Sequence, residues 1–193
     1  MAIRPVPENS AADWITGSQL PWQQLVGFGP AGFPAYARLR ILPDPTHPGQ
    51  SENDAEAVPG VLPETEMMQA ALASLRKHTT TSDEIYFCFW DGFGFAMPGA
   101  RMDVPNRSYF LYVGAVPGNG TWEMATEDQA PGQQWIPDPA VIWPADRAWC
   151  VAKDVDPHWI GIGAGTAAIN ELLADPRLDA VHADPAQWPP SYC

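Results

Sequence analysis

Basic residues are scarce in this chain: ten Lys and Arg stand against 23 Asp and Glu, a formal net charge of −13. A surface of that sign repels phosphate backbones, which argues against nucleic-acid and anionic-membrane partners. A basic protein partner or a cationic ligand is attracted instead. Cysteine is scarce too, with Cys88, Cys150 and Cys193 widely spaced and no CxxC pair. An odd number of isolated cysteines fits a reducing cytoplasm, and Cys88 and Cys150, inside strand-like runs, read as small buried hydrophobes. No prenylation box precedes Cys193. Long apolar runs are missing: nothing approaches the roughly 20 residues of a membrane helix. The opening MAIRPVPENS has no apolar run behind its arginine, so no secretory leader is expected. GxSxG is absent, as is a strand cysteine framed by a histidine, which leaves no nucleophile motif.

What the chain has in quantity is proline, glycine and tryptophan: 22, 16 and nine in 193 residues. The first two impose turns and irregular loops. The tryptophans mean a large aromatic core or an aromatic-lined surface. A length of 193 residues with 46% hydrophobic content suits one domain with a full core.

The order of elements can be read along the chain. Residues 1–17 are polar and proline-bearing and read as a loosely held arm, with a single domain over 18–193. Ser18 can cap a short helix through Gln19–Val26. Tyr36–Leu42 alternates as a half-exposed strand. Residues 43–63, with five prolines and an acidic run, read as a mobile excursion or a lid. Glu64–His78 is the clearest helix, with Met67, Met68, Ala71, Leu72 and Leu75 on one stripe. Ile85–Trp90 and Ser108–Val113 are apolar on both faces, so both are expected inside a sheet, side by side and antiparallel. Pro117–Gly120 reads as a hairpin-type turn, and residues 121–140, with Trp122 and Trp135, as a second irregular piece. In 147–155 the small Ala148, Cys150 and Ala152 share one face, which invites close approach by a helix, Glu64–His78 being the natural candidate. A glycine loop then leads to a helix capped by Thr166, and Leu178–His182 reads as a last short strand. The fold class expected is α+β: a mainly antiparallel sheet of about five strands, two main helices and long Pro/Gly-rich loops.

Four groups of residues carry candidate chemistry. The run Trp159–Ala168, WIGIGAGTAA, sits between strand and helix where free amides can hold a phosphate, or where a tight connection simply needs glycine. Asp154, Asp156 and His158 alternate and would ligate a metal if a strand continued past Pro157. Asp91, Asp146 and His158 form a carboxylate–imidazole set for acid–base work if the fold brings them within reach. Trp143, Asp146, Arg147 and Trp149, in WPADRAW, form either a rigid corner or a recognition patch of the Trp/Arg kind that dominates binding hot spots. No cofactor or metal is expected.

The segments YFCFWDGFG, RSYFLYVG and WPADRAWCVAKDVDPHWIGIGAGTAAINELLADPRLDAV resemble a family of uncharacterised actinobacterial proteins, from about Trp14 to Val181. That resemblance brings no activity with it. In element order and acidity the chain is also similar to SMI1/KNR4-type (SUKH) domains, many of which are immunity proteins that bind secreted toxins. The function expected is therefore a non-catalytic, acidic, cytoplasmic interaction protein with a basic protein partner, immunity-like in character. The alternative is a small hydrolase using Asp91, Asp146 and His158 beneath a 43–63 lid.

Overall fold

The two runs that are apolar on both sides lie at the centre of the sheet. β3 (Ile85–Trp90) pairs antiparallel with β5 (Arg107–Gly114), Ile85 opposite Gly114 and Trp90 opposite Tyr109. The computed structural model describes residues 2–94, 96–124, 136–155 and 157–193. Among these, nine strands form one sheet and four α-helices cover it, so the architecture is a single α+β fold. The sheet is larger than the five strands expected. Along it the order is β1 (Arg4–Pro5), β5, β3, β6 (Val141–Pro144), β7 (Trp149–Ala152), β8 (Trp159–Ala164), β2 (Ala35–Arg40) and β9 (Ala180–His182). β4 (Arg101–Val104) lies beside β1 on the same edge of β5.

The strand alternation assigns side chains to two layers. Ile85, Phe87, Phe89, Trp149, Val151, Ile160 and Ile162 pack under α3 (Glu64–Leu75) and α4 (Thr166–Ala174). Cys88, Leu111, Trp143 and Cys150 face the other way, toward α1 (Asp13–Thr16) and α2 (Trp22–Phe28). The small-residue face of β7 does admit a helix closely, but that helix is α2 rather than α3. Tryptophan and tyrosine rings cross this second face as a chain of contacts, Tyr86–Trp143–Trp14–Phe33–Tyr36–Phe28–Trp159–Trp188, with successive centroids 4.8–6.3 Å apart. Much of the aromatic content is thus core.

Several local expectations are corrected. The first 17 residues are held rather than loose: Arg4–Pro5 joins the sheet, and Ile3, Ala12 and Ile15 are buried. The 159–164 segment is not a loop but a fully buried strand. Its isoleucines face α3 and α4 while Gly161 and Gly163 form the opposite face. A Cβ on Gly161 would lie 1.9 Å from the Gly27 carbonyl oxygen, and one on Gly163 would lie 2.3 Å from the Phe33 ring. Gly161 is there because the Gly27 backbone passes over it, and Gly163 because the Phe33 and Tyr36 rings lie on it. α2 begins at Trp22, after Pro21 at its N-cap position, and Ser18 Oγ accepts from Leu20 N–H instead of capping a helix. α4 starts at Thr166 without a side-chain cap. Gly120 N–H closes a turn on the Pro117 carbonyl, and the chain then bridges from Met124 to Ile3 instead of returning as a hairpin. Trp135 lies outside the described residues. Among those described, no helix is long and apolar enough to cross a membrane.

Candidate functional site

The sheet register separates the three acid–base candidates. β6 pairs with β3 so that Pro144 is opposite Ile85 and Val141 opposite Cys88. Asp146, in the β6–β7 turn, therefore lies at one end of β3 and Asp91 at the other, roughly 20 Å apart for six extended residues. His158, just before β8, shares the Asp91 end but stands three strands across, about 14 Å at sheet spacing. Neither distance allows proton transfer between them. Each has local partners. Asp91 pairs with Arg101. Asp146 accepts from Thr79 Oγ1 (2.8 Å), Thr80 N (2.7 Å) and Thr80 Oγ1 (2.8 Å), and from Ala148 N (3.1 Å). Burial opposes its ionisation, but these hydrogen bonds outweigh that and hold its carboxyl below the ordinary range.

The metal-ligand pattern is taken up elsewhere. Asp154 receives a bidentate Arg107 at 2.8 and 3.0 Å, while His158 Nε2 is 2.8 Å from the Glu52 carboxylate. Asp156 lies outside the described residues. Among the described residues no three His, Cys, Asp or Glu side chains cluster tightly enough to hold a metal ion. The phosphate reading of WIGIGAG meets a physical obstacle as well, because β8 is laddered to β2 on one side and β7 on the other.

The heptad Trp143–Trp149 is a corner. Trp143 and Trp149 are 1% and 0% exposed, on opposite faces of the sheet. Trp143 stacks on Tyr86 at 5.5 Å. Of the four residues only Asp146 and Arg147 reach solvent. Arg147 holds a left-handed φ of 56° and places its guanidinium 5.3 Å from the Trp14 ring. As a recognition patch these four residues have no exposed aromatic face to offer.

A different site is built where three distant segments meet. β2 pairs with β8, Arg40 opposite Trp159, so the chain leaving β2 at 41–45 runs beside the chain entering β8 at 157–158. Arg38 clamps Asp44 through two hydrogen bonds of 2.8 and 3.0 Å, and Arg40 bridges Asp44 (3.3 Å) and Asp179 (2.7 and 3.1 Å). The Arg38 fork is the main reason the Asp44 carboxyl lies below its ordinary range. The tail after β9 closes the third side: Tyr192 hydroxyl donates to the Pro43 carbonyl, and Cys193 N donates to the Gln50 carbonyl at 3.0 Å.

These segments enclose a cavity of about 230 Å³, walled by Pro43, Pro45, Pro157 and Pro190 and by Trp159, Trp188, His158 and Tyr192. Trp159 is fixed from beneath by Phe28 at 4.8 Å and by the Arg38 guanidinium at 5.9 Å. Trp188 meets it edge-on at 5.9 Å and is 51% exposed. His158 and Tyr192 rings stand 5.5 Å apart across the cavity. Such a lining offers flat apolar faces and one carboxylate–imidazole pair at the rim.

Of the residues singled out from the sequence as candidate sites, His158 and Trp159, the first of the WIGIGAGTAA run, belong to this site. Pro43 and Glu52 come from the 43–63 segment read as a mobile excursion or a lid, while Trp188 and Tyr192 were not foreseen, although AQWPPSY, a tryptophan set among prolines in a polar tail, is a readable signal. No protein-family model, curated protein or solved structure matches the chain.

Proposed function

We propose that this chain acts in the cytoplasm as an acidic, non-catalytic interaction protein, and that it grips a basic protein partner at the cavity between 42–45, 157–159 and 188–192. The exposure of Trp188 at the lip of that cavity carries the reading. Half an indole left in water represents about 100 Å² of apolar surface, and covering it contributes about 2.5 kcal/mol to an association. Tryptophan is the residue most enriched where binding energy concentrates. The cavity's 230 Å³ is smaller than the roughly 300–1,000 Å³ of drug-sized ligand pockets, and so suits an inserted side chain. With a net charge of −13, the field around the molecule favours a cationic partner and speeds its approach. A basic secreted toxin, bound as an immunity protein binds one, is a partner of this class.

A second reading keeps one specific observation. The Glu52–His158 contact at the cavity rim is a carboxylate–imidazole pair of the kind a general base uses, and Glu52 comes from the 43–63 segment expected as a lid.

One experiment separates the two. Tagged wild type and Trp188→Ala are incubated with host extract at low and high salt, and retained proteins are compared. The binder reading expects a basic protein retained by wild type at low salt, released by salt, and lost with Trp188→Ala. Retention of nothing, together with small-ester hydrolysis abolished by His158→Gln, would replace it with the hydrolase.

A further inference from the structure

The cavity does not end at Trp188. The same indole lines a second depression with Pro21, Gln23, Gln24, Pro185 and Ala186, and Pro45, Pro190 and Ser191 carry the surface on to a third along His47 and Pro48. The first shares Trp188 with the second and Pro45, Pro190 and Ser191 with the third, and we read the three as one groove with Trp188 as the ridge between the first two. Resting on the reading of a basic protein partner, we propose that the occupant of this groove is a proline-rich, arginine- or lysine-bearing segment in the polyproline II conformation, laid across Trp188.

The chemistry of the walls selects that conformation. A wall built from Pro21, Pro43, Pro45, Pro157, Pro185 and Pro190 presents mainly rings, with the Trp188 indole N–H and the Gln23 and Gln24 amides as side-chain donors for a partner's carbonyls. The groove has no free strand edge: β8, which carries Trp159, is hydrogen-bonded on both sides. A partner segment therefore cannot add itself as a strand. Proline-rich chain keeps all its carbonyls for such donors, is already extended, and loses little conformational freedom on docking. Its rings fit pockets on either side of an aromatic ridge, the known mode of polyproline recognition.

Charge sets the rest of the ligand. Glu52 stands exposed at one lip beside His158. Asp184, also exposed, precedes the second pocket, its carboxylate accepting from Ala186 N and Gln187 Nε2 at 3.0 Å each. Two carboxylates flanking a proline-lined groove call for cationic side chains between the prolines.

The test titrates the intact chain by calorimetry with three nine-residue peptides: three Pro-Pro-Arg units, three Gly-Ser-Arg units and three Pro-Pro-Ser units. The Pro-Pro-Arg peptide is expected to bind at least about tenfold more tightly than either of the others, and Trp188→Ala to weaken it by at least about tenfold. Equal binding of Gly-Ser-Arg overturns the polyproline inference while leaving a basic partner intact. Equal binding of Pro-Pro-Ser overturns the basic-partner reading and leaves the groove. Binding of none overturns both. Because the peptide comparison uses the unaltered protein, it does not depend on how the tryptophan variant folds.

Discussion

Gly161→Ala is the perturbation that most directly probes the contact on which the second face of the sheet is built. The added methyl would lie 1.9 Å from the Gly27 carbonyl oxygen and 2.9 Å from the Phe28 ring. To restore ordinary contact near 3.4 Å, α2 must retreat by about 1.5 Å. The closest clash is with the Gly27 backbone, so no side-chain rotation absorbs that strain. Retreat would also loosen Leu25 and Val26 from Cys150 and the Phe28–Trp159 stack beneath the cavity. Overpacking of a well-filled core costs about 1–3 kcal/mol, and the immobility of the partners places this case near the top. For a chain of this length about 3 kcal/mol lowers Tm by about 6–12 °C. The assay is thermal unfolding followed by circular dichroism, with Gly118→Ala as control because nothing lies within 4 Å of its would-be methyl. The control should stay within about 0.5 kcal/mol of wild type. If Gly161→Ala melts within about 2 °C of wild type, α2 does not rest on β8 as described, and the floor of the proposed groove goes with it.

Three further outcomes follow from individual contacts. Arg107→Ala strips the partner from Asp154, which is 8% exposed, and removes a guanidinium lying 5.4 Å from Trp22 and 5.7 Å from Trp90. A loss of about 3 kcal/mol in urea unfolding is expected, with the Arg107→Ala/Asp154→Ala double variant losing less than the sum; strict additivity would refute the pairing. Lys77 first, and then His78, pull the Glu171 carboxyl from an ordinary 4.5 down to about 2. A depressed folded-state pKa gives stability that is present above pH 4.5 and disappears as pH falls toward 2, so Glu171→Gln should flatten the acid limb of a stability–pH curve in that window. A limb unchanged by the substitution would exclude the contact. Burial pushes the Cys88 and Cys150 thiols well up, whereas Cys193 is exposed. A thiol-reactive disulfide reagent should therefore titrate one cysteine in the folded chain and three after denaturation; fast reaction of two or more in the folded state would contradict the burial.

The parts of the fold that could be read from sequence are those specified by their own composition. Ile85–Trp90 and Ser108–Val113 are greasy on both alternating faces, and only an interior strand satisfies that. The stripe Met67, Met68, Ala71, Leu72, Leu75 sets a helix against a sheet whatever the neighbours are. The misreadings came where one local pattern fits two structures. Gly161 and Gly163 suit a turn or a strand covered closely by other groups, and only the positions of α2 over Gly161 and of the Phe33 and Tyr36 rings over Gly163 decide between them. The small face of β7 correctly called for a helix, but a face of Ala and Cys does not say which helix. Arg4–Pro5 is too short to show periodicity, and it becomes ordered because β5 offers an edge and Ile3 a buried place.

The site was harder to read because its residues have no relationship along the chain. Pro43 and Pro157 become neighbours only through the pairing of Arg40 with Trp159, and strand register is a property of two segments together, invisible in either alone. The tail is farther still from prediction. β9 runs antiparallel to β2, placing His182 opposite Ala37, so the chain leaves β9 heading away from 41–45. It must double back past Trp188 for Tyr192 to reach the Pro43 carbonyl and Cys193 to reach Gln50. Fastening that return takes hydrogen bonds and conformational entropy, yet the indole it carries is left half in water. The same chain buries Trp143 and Trp149 completely. A tail serving stability alone would gain more by turning Trp188 inward than by holding it out between two proline-lined pockets, and this imbalance is the physical reason to read the groove as made for a partner.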